Sequence, residues 1–285
     1  CYLTAIPLRV AVFLDIPVYQ TTGAHIYRLD RDNMFAYTEF RFYRKMFGQL
    51  SAPERQRGLQ LGKELLEQRL SGEVIEVGPS QASTKSAWGA REPAERLLST
   101  GPETKVLLAP HCFFDSPHGM GNMLFPDFLE WIDFVGHIAK ETNYTWYIKT
   151  HPDFIENTQR VLNEIILPRH PVFQHLPSTT SHEQIIREGI DVGLTMYGTL
   201  GVEYAARGVP VINASLNNPH IGYGFNLHPQ SVEEYGNLLR NLHQMHLEID
   251  MNEVYEYYYM RNVKCYSEDQ TWLFSDQLGM LNVVG

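Results

Sequence analysis

Cysteine is scarce, long apolar runs are missing and positive charge is outnumbered. The 285 residues include three cysteines, Cys1, Cys112 and Cys265, an odd count with no Cys-x-x-Cys pair. That supports neither a disulfide framework nor a zinc knuckle and fits a reducing cytosol. No stretch approaches the ~20 consecutive apolar residues of a membrane-spanning helix. Lys and Arg number 23 against 33 Asp and Glu, a formal net charge of −10. This balance disfavours broad binding to nucleic acid or anionic lipid, while leaving room for a local basic pocket. The opening CYLTAIPLRVAVFLDIPVY has neither a basic n-region nor a small-residue cleavage site, so it reads as a buried strand rather than a signal peptide. Starting on Cys1 rather than Met suggests a fragment or a processed product.

What is present is enough for a core: 44% of the residues are apolar, and the length suits one large domain or two. In the region 1–103, RVAVFLDIPVY and HIYRLD read as strands. APERQRGLQLGKELLEQRLSG reads as a helix, with a loose stripe of Leu59, Leu65, Leu66 and Leu70 and a stop at Gly72. The Gly-, Ser- and Pro-rich VGPSQASTKSAWGAREPAE reads as a linker or loop. From Lys105 strands and helices alternate. KVLLAP, TWYIKTHP, VFQHLP, DVGLTM and PVINAS are the strands, separated by helices in FPDFLEWIDFVGHIAKE, NTQRVLNEIIL, SHEQIIREG and TLGVEYAARG. SVEEYGNLLRNLHQM adds a last helix, and Ser181/Gln184 and Ser231/Glu234 have capping-box spacing. Short strands apolar on both faces indicate a parallel sheet covered on both sides, so 104–246 is expected to be a Rossmann-like α/β domain.

Ligands of such sheets bind beyond the carboxyl ends of the strands, and three ends carry unusual residues. HCFFDSPHGMGN follows KVLLAP and holds His111, Asp115 and His118; it is either a ligand-approaching loop or an ordinary one, and it lacks an established metal-ligand spacing. KTHPD ends the next strand with His151 and Pro152, where a histidine can donate to a phosphate oxygen. RHP at 169–171 precedes a strand and is expected to be a decoy. In TMYGTLGVEYAARGVPVINAS, Tyr197, Gly198 and Thr199 join strand to helix. There unpaired amides and the helix dipole suit an anion, and Glu203 lies one turn further in. The plain alternative is a capped helix with a solvated glutamate.

His-Pro at one strand end, followed about forty residues later by T-x-x-G-T-x-G-x-E-x-A-x-x-G-x-P-V-I, resembles the donor-nucleotide half of GT-B glycosyltransferases. The likeness is to bacterial capsule and lipopolysaccharide enzymes that use CMP-Kdo or CMP-sialic acid, and it spans 104–228. It implies a GT-B-like α/β fold in which 1–103 forms a shorter or truncated acceptor-side region, 104–246 binds the donor, and helices in 247–285 pack back on the N-terminal region. His151 would contact the donor phosphate or ribose, with Pro152 fixing the following backbone. Tyr197, Gly198 and Thr199 would surround the phosphate, Glu203 would hold the ribose hydroxyls, and Asn218 and His220 would reach the sugar. Gly208 and Pro210 would be a helix stop and a strand entry. The resemblance implies a metal-independent transferase with no cofactor beyond its nucleotide-sugar substrate. Its partner would be a cell-surface glycan or glycolipid acceptor, with no nucleic acid and at most peripheral membrane contact, in the cytoplasm at the inner face of the membrane.

Two features depart from the family. Only about 100 residues precede the regular domain, fewer than an acceptor domain usually takes. The acidic motif that supplies a base is not evident in 1–100, leaving Asp115 and His118 as weak substitutes. His151→Ala and Glu203→Ala are each expected to cripple transfer with the fold intact. Competing readings are a UDP-GlcNAc 2-epimerase-like enzyme, a CDP-glycerol-type (CDP-polyol) phosphotransferase, and a non-catalytic nucleotide-sugar-binding subunit. The Tyr-rich stretch from Glu253 onward is expected to pack between domains rather than form a sugar platform.

Overall fold

The computed structural model describes residues 2–22, 25–32, 34, 39–72, 88, 95–113, 121–151 and 156–264. The first element corrects the sequence expectation. Most of the presumed N-terminal strand is a helix, α1 (Tyr2–Phe13), and only its end enters β1 (Val18–Thr22), which pairs antiparallel with β2 (His25–Leu29). A continuous apolar run has no period to separate strand from helix; here its twelve-residue length exceeds that of an ordinary strand. α2 (Tyr43–Gln49) and α3 (Ala52–Leu70) follow. α3 starts at Ser51, whose N–H donates to the Glu54 carboxylate at 2.8 Å, and ends before Gly72, where φ is 92°. Among the described residues before Lys105, the only strands are this hairpin.

β3 (Lys105–Leu108), β4 (Thr145–Ile148), β5 (Phe173–His175), β6 (Val192–Thr195) and β7 (Val211–Asn213) form one parallel sheet, ordered β5-β4-β3-β6-β7. Counted from its own first strand, the order is 3-2-1-4-5, the Rossmann arrangement, which reverses direction between β3 and β6. The helices between strands are α4 (Phe128–Glu141), α5 (Glu156–Val161), α6 (Leu167–Arg169), α7 (His182–Arg187) and α8 (Leu200–Ala205); a π turn over Leu162–Ile166 links α5 to α6. α9 (Val232–Arg240) and α10 (Met251–Asn262) are the last helices among the described residues. Asp127, Ser181 and Ser231 cap α4, α7 and α9 by accepting the backbone N–H three residues on.

Successive strand residues point to opposite faces, and both faces are dry. Val106, Leu108, Trp146, Ile148, Leu194 and Ile212 pack beneath α4, the α5–α6 run and α9. Leu107, Tyr147 and Val211 pack on the other face with α7 and α8, over which α2, α3 and α10 lie. This double burial explains why the strands lack polar alternation. α3 and α10 approach so closely at Gly62 that a Cβ there would sit 2.3 Å from the Tyr255 carbonyl oxygen. The tyrosines of α10 fill this contact: Tyr257 lies against Tyr43, His220 and Phe225, and Tyr259 edges onto Phe47. Among the described residues no helix is long and apolar enough to cross a membrane.

Candidate functional site

The reversal point between β3 and β6 is spanned by a side chain. His111, just past β3, accepts the Tyr197 N–H in its Nε2 at 3.1 Å, and its ring stacks on Phe128. The buried Tyr197 hydroxyl donates to the Gly121 carbonyl at 2.6 Å, and burial pushes its pKa up to about 12. Tyr197 is therefore a neutral strut between the loop after β3 and the turn after β6. In that turn, Gly198 N–H donates to Thr195 Oγ1 at 3.3 Å. Thr199 is exposed at the start of α8, and its side chain makes no capping bond. The N–H groups of Thr199 and Leu200 have no acceptor among the described residues.

α8 is a six-residue helix with every residue buried, Glu203 included. The glutamate is 6% exposed, and its Oε1 accepts from Arg69 Nε, near the end of α3, at 3.2 Å. A carboxylate tolerates the interior when a charged partner is bonded to it. Glu203 is thus held from the N-terminal region and is not the solvated glutamate of the plain alternative.

Beside it lies a cluster that sequence reasoning did not single out. Lys149 follows β4, is 2% exposed, and donates from Nζ to His182 Nε2 at 3.3 Å. His182 opens α7; with Nε2 accepting from the lysine, Nδ1 is left to carry the ring proton toward the Tyr204 hydroxyl at 2.9 Å, while Trp88 lies over the ring. Burial depresses Lys149 to about 8, with the Glu203 charge acting in the opposite sense. Burial first, and then the charges of Lys149, His151 and Arg69, hold His182 well below the usual histidine range. His151 is exposed at the end of β4. Thr150, between them, is 1% exposed, and its hydroxyl has no partner among the described residues. A lysine closing the otherwise apolar TWYI strand, and a histidine at the next strand-to-helix junction, were the signals available in the sequence.

Asn218 and His220 lie in the interior. Asn218 Nδ2 donates to Met196 O and, at 2.9 Å, to Asn213 Oδ1, and its Oδ1 accepts from His220 N–H at 2.8 Å, tying the ends of β6 and β7 together. His220 is 1% exposed, and burial holds it well below the usual range. Oriented to satisfy its neighbours, the Asn226 amide accepts from His220 Nδ1 and donates to the Phe225 and Gly201 carbonyls. The Asn218 amide and the His220 N–H and Nδ1 are committed to internal bonds. His170 of the RHP run is likewise interior, its Nε2 donating to Asp133 Oδ1 at 2.7 Å. Gly208 stops α8 with φ 76°. Asp115, His118 and Pro152 lie outside the described residues. Among the described residues no group of three or more His, Cys, Asp and Glu side chains is arranged to hold a metal.

No protein-family model and no curated protein matches the chain. Two solved structures from Thermosulfurimonas dismutans resemble it. The KpsC beta Kdo 2,4 transferase is 14% identical with a TM-score of 0.47, covering 88% of this chain and 74% of that one. The KpsC beta Kdo 2,7 transferase is 10% identical with a TM-score of 0.43, covering 85% of this chain and 68% of that one.

Proposed function

We propose that the chain binds a nucleotide-activated sugar, a CMP-sugar by preference, beyond the carboxyl ends of β4 and β6, and transfers the sugar to a cell-surface polysaccharide or glycolipid. On this reading 104–246 is the donor half of a GT-B-type enzyme, 1–103 is the acceptor side, and 247–285 packs back on it. The observation that carries it is the convergence of the two motif segments. Lys149, two residues before His151, feels the charge of Glu203 and bonds His182 on a third element. The bond from Lys149 to His182, and from His182 to Tyr204 on α8, links the strand end that carries His151 to the helix that follows the Gly-Thr turn, at strand ends of a Rossmann-ordered sheet, the side on which such sheets bind nucleotides.

In the transfer, the bond from the anomeric carbon to the phosphate oxygen breaks and negative charge builds on the departing nucleotide. The Thr199 and Leu200 amides and His151 would face that charge, and Glu203 would accept from the ribose hydroxyls. A base would take the acceptor hydroxyl's proton as the new glycosidic bond forms, a step contributing about 10²–10⁴-fold. The base is not identified; Asp115 and His118 are weak candidates for it from the sequence.

Thermal unfolding with CMP, CDP, UDP and GDP tests the binding step. A ligand at 100-fold its Kd stabilises the folded state by about 2.7 kcal/mol, so one nucleotide is expected to raise Tm, and His151→Ala to abolish the rise. No shift with any nucleotide, or a full shift in His151→Ala, overturns the assignment. Turnover of UDP-GlcNAc without an acceptor would identify an epimerase instead. Nucleotide binding without turnover of any donor would identify a binding subunit.

A further inference from the structure

The proposed roles leave one buried group unused, the Lys149–His182 pair. Among the described residues, the groups facing it are His151 after β4, Glu203 and Tyr204 on α8, Arg69 on α3, and Tyr258 on α10, which lies within range of Glu203 and Arg69. Among the described residues these charges do not cancel. Glu203 is the one carboxylate among these groups, and Arg69 already holds it at 3.2 Å. His182 must be neutral at Nε2 to accept from the lysine. A protonated Lys149 is then a buried positive charge with a neutral hydrogen-bond partner, an arrangement that is expensive unless an anion completes it.

We propose that the Lys149–His182 pair is an anion-receiving group that takes the negative charge of a phosphate entering the crevice and gains a proton as it does so. The inference rests on the nucleotide-sugar reading for the identity of the phosphate, but not for the anion chemistry. The lysine lies two residues from the exposed His151, and its flexible stem can turn the ammonium from His182 toward an incoming phosphate oxygen. Because burial has already brought Lys149 to about 8, about three-quarters of it is neutral at pH 8.5. An anion beside it favours the charged form. Binding at that pH therefore draws a proton from solution onto the Lys149 amine, and the phosphate itself is chemically unchanged.

The test is titration calorimetry at pH 8.5 with CMP and, separately, with inorganic pyrophosphate, each in two buffers of different ionisation heat. Wild type is expected to take up about 0.5–0.8 proton per ligand. Lys149→Arg, charged at every accessible pH, should keep affinity within a few-fold and lose the proton uptake. Lys149→Met should lose both, with affinity down about tenfold or more. CMP binding with no buffer dependence in wild type, or undiminished affinity in Lys149→Met, overturns this inference while the nucleotide reading stands. Pyrophosphate binding with Lys149-dependent uptake, but no CMP binding, does the reverse. Binding of neither ligand refutes both.

Discussion

Lys149→Met probes the same residue through stability, and its magnitude follows from the environment. Burial lowers the lysine from 10.5 to about 8, and each unit is worth about 1.4 kcal/mol. Keeping the ammonium folded in at neutral pH therefore costs about 3 kcal/mol relative to leaving it in water. The sign is set by where the proton sits. Between pH 8 and 10.5 the unfolded chain keeps a proton at Lys149 that the folded chain has released, so raising pH through that window favours folding. Below about 8 the penalty is present in full, and above 10.5 it is gone. Methionine has no such dependence. It leaves His182 Nε2 without its donor, a loss of about 1–3 kcal/mol, but burial keeps that ring neutral throughout the window, so this loss does not vary with pH. Urea denaturation of both proteins at steps from pH 7.5 to 10.5 isolates the lysine. Wild type should gain about 3 kcal/mol on the variant across the series. A difference that is flat, or that falls with rising pH, would show that Lys149 is not a buried uncompensated cation, and the anion-receiving role would lose its foundation.

Glu203→Ala removes the partner of Arg69, whose side chain is 19% exposed, and should destabilise by about 2 kcal/mol in chemical denaturation. Glu203→Gln should stay within about 1 kcal/mol of wild type and is the variant in which lost nucleotide affinity reports on the ribose contact. Asn218→Ala strips a buried bridge between the β6 and β7 ends and should cost about 2–3 kcal/mol in the same assay. Glu256 is raised from 4.5 to about 7, chiefly by burial, with Arg44 opposing. Between those values the folded chain holds a proton that the unfolded chain has released, so stability falls as pH rises through the window. Glu256→Gln should accordingly match wild type near pH 4.5 and exceed it by roughly 2 kcal/mol at pH 8, as read by Tm across that range.

Legibility in the sequence divides along the distance over which each feature is determined. The parallel sheet could be read because its strands are buried on both faces, leaving short apolar runs punctuated by capping serines and stop glycines. α1 could not, since Ile6, Val10 and Phe13 are exposed at 62, 52 and 73%. A helix whose apolar residues do not all face the core carries no stripe for periodicity to detect. Asn218 and His220 followed a strand, as ligand-contacting residues do, but side chains at that position can equally fasten the backbone of neighbouring strand ends. Here the Met196 carbonyl and the Asn213 amide take those bonds.

The site itself divides in the same way. His151 and the Gly198–Glu203 turn were visible as local motifs. Arg69 was not, because its partner Glu203 lies 134 residues away in sequence, and nothing in α3 distinguishes it from the other basic residues there. A Gly-Thr turn entering a six-residue helix offers two amides and a weak dipole, too little to select a nucleotide by itself. Beside the turn stand two charges from other elements, the guanidinium from α3 bonded to Glu203 and the ammonium from the end of β4 bonded to the neutral imidazole that opens α7. Glu203 lies among apolar neighbours because Arg69 meets its charge, and with that charge shared Lys149 is only partly compensated.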